Sequence, residues 1–397
     1  MTDQITPEAT DTIAPGDQPP VAPDTVFEGG VEFRGRATKI IGLVIKNLLL
    51  NILTLGFYRF WARTRVRKYI WNELHILGSP LEYTGTGKEL FLGFLMIIFV
   101  IFLPYGILNA VLQSMGFLQD PAISLWFTLA TYAFFFYLIG VATYRAQRYR
   151  LTRTRWRSIR AGLTGSSWRY GLWFFGLNLL KGFFGLITPY QNLKLWQMEK
   201  QNTHIGNRFF VFDKDNKGKE ALISLYKAYI VPGLVGLCVL FIPLIYFYYV
   251  FGLDIIFRSL TDEERQALID AELVAHSTLL SAWPFYVPVA LIALVVASSW
   301  YKLRETRLLV SLTTYEDLSL SFNASLWSFF RLYLGNLLIF FLTLGLGTPF
   351  LQVRNARFVA THTDIEGQLD LATIAQSSDD DLTSGEGLAD AFDMGTV

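Results

Sequence analysis

The sequence predicts an all-α integral membrane protein. It would be built from repeated units of one re-entrant or interfacial helical segment plus a two-helix transmembrane hairpin, with short cytoplasmic β segments. Three observations predict it: the composition, seven apolar runs, and the charge between those runs. Of 397 residues, 52% are hydrophobic, 16% aromatic and only 17% charged, against roughly 25% charged in a soluble domain. Trp, Tyr and Phe are abundant, as they are where lipid meets headgroup.

The apolar runs cover about 40–58, 90–112, 122–144, 170–188, 229–251, 282–301 and 326–347. Each is close to the ~20 residues that cross a ~30 Å hydrocarbon core as a helix. Seven spanning helices is therefore the alternative architecture. Lys and Arg collect in cytoplasmic loops, and that rule favours four crossings. Residues 113–121 carry no base and one acid, Asp120, and residues 252–281 carry Arg258 and Arg265 against six acids. These two loops are expected outside. Six Lys or Arg lie in 59–89, eight in 145–169, seven in 189–228 and three in 302–307. The run at 170–188 has a basic stretch on each side, so it is expected to enter and leave on one face. The same reading extends to 40–58 and 326–347.

Internal similarity supports repeated units. The phrases beginning at Asn47, Asn178 and Asn336 ("NLLLNILTLG", "NLLKGFFGLI", "NLLIFFLTLG") line up, and "GKE" occurs at 87–89 and 218–220. An offset of 289 places Thr54, Gly56, Arg65 and Tyr69 on Thr343, Gly345, Arg354 and Phe358. The expected organisation is an acidic disordered tail (1–32), unit one (33–155), unit two (156–316), a truncated unit three (317–370) and a second acidic tail (371–397). Residues 1–32 and 358–397 hold seven and nine acids and no Lys or Arg, which leaves 34 basic against 17 acidic residues over 33–357. Such composition reads as disorder. The bases alternate with apolar runs, so topology accounts for them and nucleic acid is not an expected partner. No leader with a positive start and an apolar centre is visible near Met1. One cysteine, Cys238, provides neither a disulfide framework nor a thiolate metal site.

Polar residues inside the apolar runs are the candidate membrane site: Asn47, Asn51, Thr54, Asn178, Lys181, Asn336 and Thr343. Asn47, Asn51 and Thr54 form one helical stripe. Polar groups at membrane depth are costly and mark functional sites. They also satisfy backbone groups where a chain reverses, beside Gly56, Gly185 or Gly345, and join helices. Arg59, Arg63 and Arg67 recur every four residues, with Lys68 beside them. They are the candidate contact for anionic headgroups at the cytoplasmic leaflet, where each base is worth about 1 kcal/mol; the other reading is a topology anchor. "RAQRYRLTRTRWRSIR" (145–160) admits the same pair, and its alternation over 148–157 suits an exposed strand.

"LEYTGTGKE" (81–89) lacks the hydroxyl that a phosphate loop needs after its Lys, since Glu89 follows Lys88. A short strand and turn is expected there. The histidines at 75, 204, 276 and 362 are dispersed, and no nucleophile elbow, kinase set or triad signature is present. No enzyme, metal or cofactor is therefore indicated.

The stretch "TLGFYRFWARTRVRKYI" followed by "LEYTGTGKELFLG" resembles the YjgN-like family of bacterial inner-membrane proteins, a domain of unknown function. Thr54, Leu55, Gly56, Tyr58, Trp61 and the basic run carry the resemblance. So do Tyr83, Gly85, Thr86 and Gly87, with Phe33 and Gly35 upstream. Gly56, Trp61, Tyr83, Gly85 and Gly87 form its structural motif. The later units depart from it, with Pro189 and Pro349 where the motif has an aromatic. The resemblance implies a multi-pass bacterial inner-membrane protein and lends no catalytic residues; the loop charges put both tails in the cytoplasm. Transport or lipid handling through the polar-lined segments is the expected function. The alternative is a non-transporting scaffold that binds anionic lipid and a protein partner of unknown identity.

Overall fold

A computed structural model describes residues 26–183, 185–251, 262–369 and 374. Among the described residues, ten α-helices, in pairs, alternate with ten strands. The strands are β1 (Val26–Phe33), β2 (Leu74–Ile76), β3 (Ser79–Tyr83), β4 (Thr154–Trp156), β5 (Ile159–Leu163), β6 (Thr203–Ile205), β7 (Arg208–Phe212), β8 (Thr313–Tyr315), β9 (Leu318–Phe322) and β10 (Thr363–Gln368). The helices come in pairs between them: α1 (Ala37–Leu53) and α2 (Arg59–Glu73), α3 (Gly87–Ser114) and α4 (Pro121–Thr152), α5 (Ser167–Phe183) and α6 (Thr188–Lys200), α7 (Gly218–Phe251) and α8 (Asp262–Ser311), α9 (Leu326–Leu342) and α10 (Thr348–His362).

The all-α expectation is wrong. The strands close one antiparallel barrel in the order β1-β10-β9-β8-β7-β6-β5-β4-β3-β2. Four hairpins lie along the chain. The fifth is split between the termini, with Val26 opposite Gln368 and Gly30 opposite Asp364. Closure leaves no unpaired edge. The hairpin turns demand positive φ, as at Leu77 and Gly78 or Arg157 and Ser158, the pattern of the tight turns that match strand twist. A strand of three residues is too short to show a period of two, so the sequence pattern hid it. Residues 148–152, expected as strand, complete α4, while 154–156 form β4.

This barrel also excludes seven single crossings. Because neighbouring strands are antiparallel, every helix pair leaves from and returns to the same rim, and the hairpin turns occupy the other. An odd crossing would place alternate strands on opposite membrane faces. Among the described residues, four helical segments are long and apolar enough to cross a membrane: Gly87–Ser114, Pro121–Thr152, Gly218–Ile245 and Phe285–Ser311. α3 contains a π-turn at Ile98–Phe102, directly before Pro104, whose ring lacks the N–H and displaces the preceding turn.

Residues 26–32, expected as tail, belong to β1. The rest of the N-terminal tail and, but for residue 374, the C-terminal one lie outside the described residues, as do positions 252–261 of the expected outer loop. The barrel draws strands from all three expected units.

The barrel interior is one apolar cluster to which every strand contributes. Trp156, Tyr315, Leu318 and Ile365 are buried there with Leu369 and Ile374, flanked by Val31, Ile76, Leu81, Ile159, Ile205 and Phe210. The polar ends of its two largest rings are satisfied in parallel fashion. Trp156 Nε1 donates to the Ile76 carbonyl and Tyr315 Oη to the Ile205 carbonyl, both at 3.1 Å. Buried ring N–H and O–H groups need such partners.

Candidate functional site

The short helix pairs reverse on a repeated turn. After α1, Thr54 Oγ1 donates to the Leu50 carbonyl and accepts from the Tyr58 amide. After α9, Thr343 Oγ1 donates to Ile339 and accepts from Gly347. Leu55 and Gly56, like Leu344 and Gly345, have positive φ, which glycine tolerates and leucine does not readily. Thr54 and Thr343 therefore satisfy reversing backbone. The turn leucines point away from the protein, with Leu55 90% and Leu344 88% exposed, an arrangement suited to hydrocarbon and costly in water.

The asparagines do not converge. Asn47 is buried and its amide reaches the Ala62 carbonyl on α2 at 3.4 Å. Asn336 does the same job between α9 and α10, donating to Asn355 Oδ1 at 2.7 Å. Both lie nine residues before their turn glycine, Gly56 or Gly345, whereas Asn178 lies seven before Gly185. Two residues rotate a helical side chain by about 200°, and Asn178 bonds instead to the Phe174 carbonyl of its own helix at 2.8 Å. Asn51 is half-buried on α1 and Lys181 is exposed on α5. The buried amide oxygens of Asn47, Asn51 and Asn336 have no hydrogen-bond partner among the described residues.

The arginine stripe on α2 divides in two. Arg67 is buried, with its guanidinium donating to Tyr83 Oη at 3.3 Å. Arg59 lies over the Phe60 and Phe94 rings at 4.9 and 5.1 Å, and Lys68 is exposed. Arg63 is half-buried. Arg67 is thus part of the seam between α2 and the barrel, while Arg59 and Lys68 remain available at the surface.

The motif glycines mark close approaches. A Cβ on Gly87 would lie 2.8 Å from Trp61 Cα, and one on Gly85 would lie 2.6 Å from Tyr83 Oη. Tyr83 ends β3 and folds its ring over Gly85; Phe33 ends β1 and does the same over Gly35.

One cluster of basic side chains was not expected from the sequence. A crevice of about 730 Å³ opens between α1, α9 and α10, lined by Arg331, Arg354, Arg357, Ser328 and His362. Its other walls are Ile40, Leu332, Ile339, Phe350, Val353 and Phe358. Arg354 donates to the Arg331 carbonyl at 3.3 Å and Arg357 to the Gly35 carbonyl at 2.7 Å. None of the three arginines has a carboxylate partner among the described residues. The signal in the sequence was the recurrence of Arg65 as Arg354. Arg331 lies 23 positions away and meets it only once α9 folds onto α10.

The geometry can be set beside known proteins. The family model described as "Bacterial protein of unknown function (DUF898)" matches residues 28–391. Over 85 residues the chain is 28% identical to "Inner membrane protein YjgN" of Salmonella typhimurium, covering 21% of this chain and 22% of that protein. Over 70 residues it is 30% identical to the protein of the same name from Escherichia coli K12, covering 18% of each. These alignments span only about a fifth of the relatives' length. No solved structure matches.

Proposed function

The chain belongs to the family of bacterial proteins of unknown function DUF898, and from that premise we propose that it is a multi-pass inner-membrane protein that handles anionic phospholipid at the cytoplasmic leaflet. The observation that carries this reading is the crevice between α1, α9 and α10, where three arginines without carboxylate partners border an apolar wall. Guanidinium groups bind phosphate in fork geometry, and the wall of Ile339, Phe350 and Val353 suits an acyl chain. Sidedness follows from charge. The helix ends beside the barrel carry the basic runs, which supports a cytoplasmic barrel and cytoplasmic tails. The relatives are named inner membrane proteins.

Lipid handling is preferred to solute transport because Asn47 and Asn336 are each used within their own helix pair, and Asn178 within its own helix. The test is native mass spectrometry of the delipidated protein titrated with phosphatidylglycerol or phosphatidylcholine. Phosphatidylglycerol should bind in preference, and Arg331→Gln with Arg354→Gln should weaken it at least fivefold without changing phosphatidylcholine. Equal binding of both lipids, unchanged by the variants, would sink the proposal.

A further inference from the structure

A ten-strand barrel is wider than the eight-strand barrel whose interior strand side chains just fill. Here the strands are also short, mostly three to five residues. Something further has to occupy the end of the barrel away from the helices. β10 runs from α10 toward that end, since it is antiparallel to β1 and β9, so the chain emerges there after Gln368. Two side chains then turn back inside. Leu369 is 2% and Ile374 6% exposed, and both belong to the cluster of Trp156, Tyr315, Leu318 and Ile365.

Neither residue is in a strand, and among the described residues the barrel's hydrogen-bonded ladder reaches as far as Gln368 opposite Val26. Both side chains are apolar and lie among the inward-facing strand residues. That is the arrangement of a ligand in a pocket rather than of a structural strand. We propose that the barrel end distal to the membrane is a binding site for a short apolar segment, and that Leu369 and Ile374 of the chain's own C-terminal region are its occupant in cis. A segment from elsewhere with Leu and Ile at this spacing would compete for the same place. Removing the occupant leaves an apolar mouth around Trp156, Tyr315 and Leu318, flanked by Ile76, Leu77, Ile159, Ile205 and Phe210.

The experiment uses the full chain with a specific protease site inserted between Gln368 and Leu369, so that the protein folds before it is cut. After cleavage, the released C-terminal piece should stay with the body on size exclusion. An excess of fluorescent synthetic peptide covering residues 366–378 should exchange it saturably. The same peptide carrying Leu369→Asp and Ile374→Asp should bind at least tenfold more weakly, and uncut protein should not take up either. A second measurement needs no cleavage. In the intact chain, Leu369→Asp with Ile374→Asp should admit the wild-type peptide while β-hairpin and helix content stay unchanged by circular dichroism. If the cut piece dissociates and the folded body does not take up the peptide, the site does not exist. If the intact double variant stays folded and takes up no peptide, the outcome is the same.

Discussion

The guanidinium of Arg357 donates to the carbonyl of Gly35 at 2.7 Å across 322 residues of sequence. The same bond occurs locally elsewhere in the ring. Arg148 donates to the Gly165 carbonyl and Arg307 to the Ala324 carbonyl, each across 17 residues. Each arginine lies six residues before the first strand of its hairpin, and each acceptor lies two residues after the second strand. By this criterion β10 and β1 are a hairpin cut by the chain termini. Arg357 is the clasp that replaces the missing turn.

Arg357→Gln should therefore lower the unfolding free energy of the solubilised protein by ~1.5–3 kcal/mol, the range for a charged hydrogen bond. Arg148→Gln and Arg307→Gln should cost a similar amount if the three clasps are equivalent. Denaturation followed by circular dichroism in one detergent checks it. A null effect at Arg357 alone would mean that the strand pairing closes the ring without the clasp.

Two glycine-to-alanine substitutions should differ in sign. At Gly87 the added Cβ meets Trp61 Cα at 2.8 Å, a backbone atom that cannot rotate away. A loss of ~1–3 kcal/mol is expected for such overpacking. At Gly106 nothing lies within 4 Å, and alanine in a helix interior should gain ~0.5–1 kcal/mol. Thermal melts of the two variants measure the contrast.

Asn336→Leu should strand the Oδ1 of Asn355, which accepts its amide at 2.7 Å. The expected cost is ~1 kcal/mol for a half-buried acceptor left unpaired. Adding Asn355→Leu should recover most of it. Asn178→Leu removes only a bond within one helix and should change stability by less than about 1 kcal/mol. A double-mutant cycle reads the coupling directly.

Burial in the barrel pushes the Tyr315 phenol up from 10.0 to about 12; Glu316 adds to the rise, and Arg208 opposes it. The folded state thus favours the neutral phenol. Its contribution is fully present below pH 10 and is lost as pH rises through about 12. Stability measured from pH 9 to 12 should fall less steeply in Tyr315→Phe than in the parent. Parallel curves would place Tyr315 outside the titrating set.

Thr54→Val should weaken the first turn by ~1 kcal/mol, because one hydroxyl both donates to Leu50 and accepts from Tyr58. Thr54→Ser keeps the oxygen and should cost less. The same pair at Thr343 should repeat the result, since the geometry is repeated. Different costs at the two turns would show that their surroundings, not the shared bond, set the stability.

Much of the helical part was legible because its cause is local. Apolar length and basic flanks identified runs at about 90–112, 122–144, 229–251 and 282–301, which overlap the long apolar helices at Gly87–Ser114, Pro121–Thr152, Gly218–Ile245 and Phe285–Ser311, and the family resemblance rested on contiguous residues such as Trp61 and Gly87. The barrel left only a faint trace: "TRW", "THI", "TTY" and "TDI" each open a strand with Thr and place an apolar residue third. In three of them the Thr hydroxyl donates to the preceding helix, from Thr154 to Arg150, Thr203 to Glu199 and Thr313 to Leu309.

The sequence by itself determined the membrane class, the helical runs and the sites of reversal, since hydropathy, charge and positive-φ glycines act over a few residues. Tertiary structure alone decided that five hairpins share one ring, that Asn178 turns away from the role of Asn47 and Asn336, and that Arg331, Arg354 and Arg357 meet. Strand pairing and charge clustering join residues such as Val26 and Gln368, whose proximity is created only when every helix pair returns to the same rim.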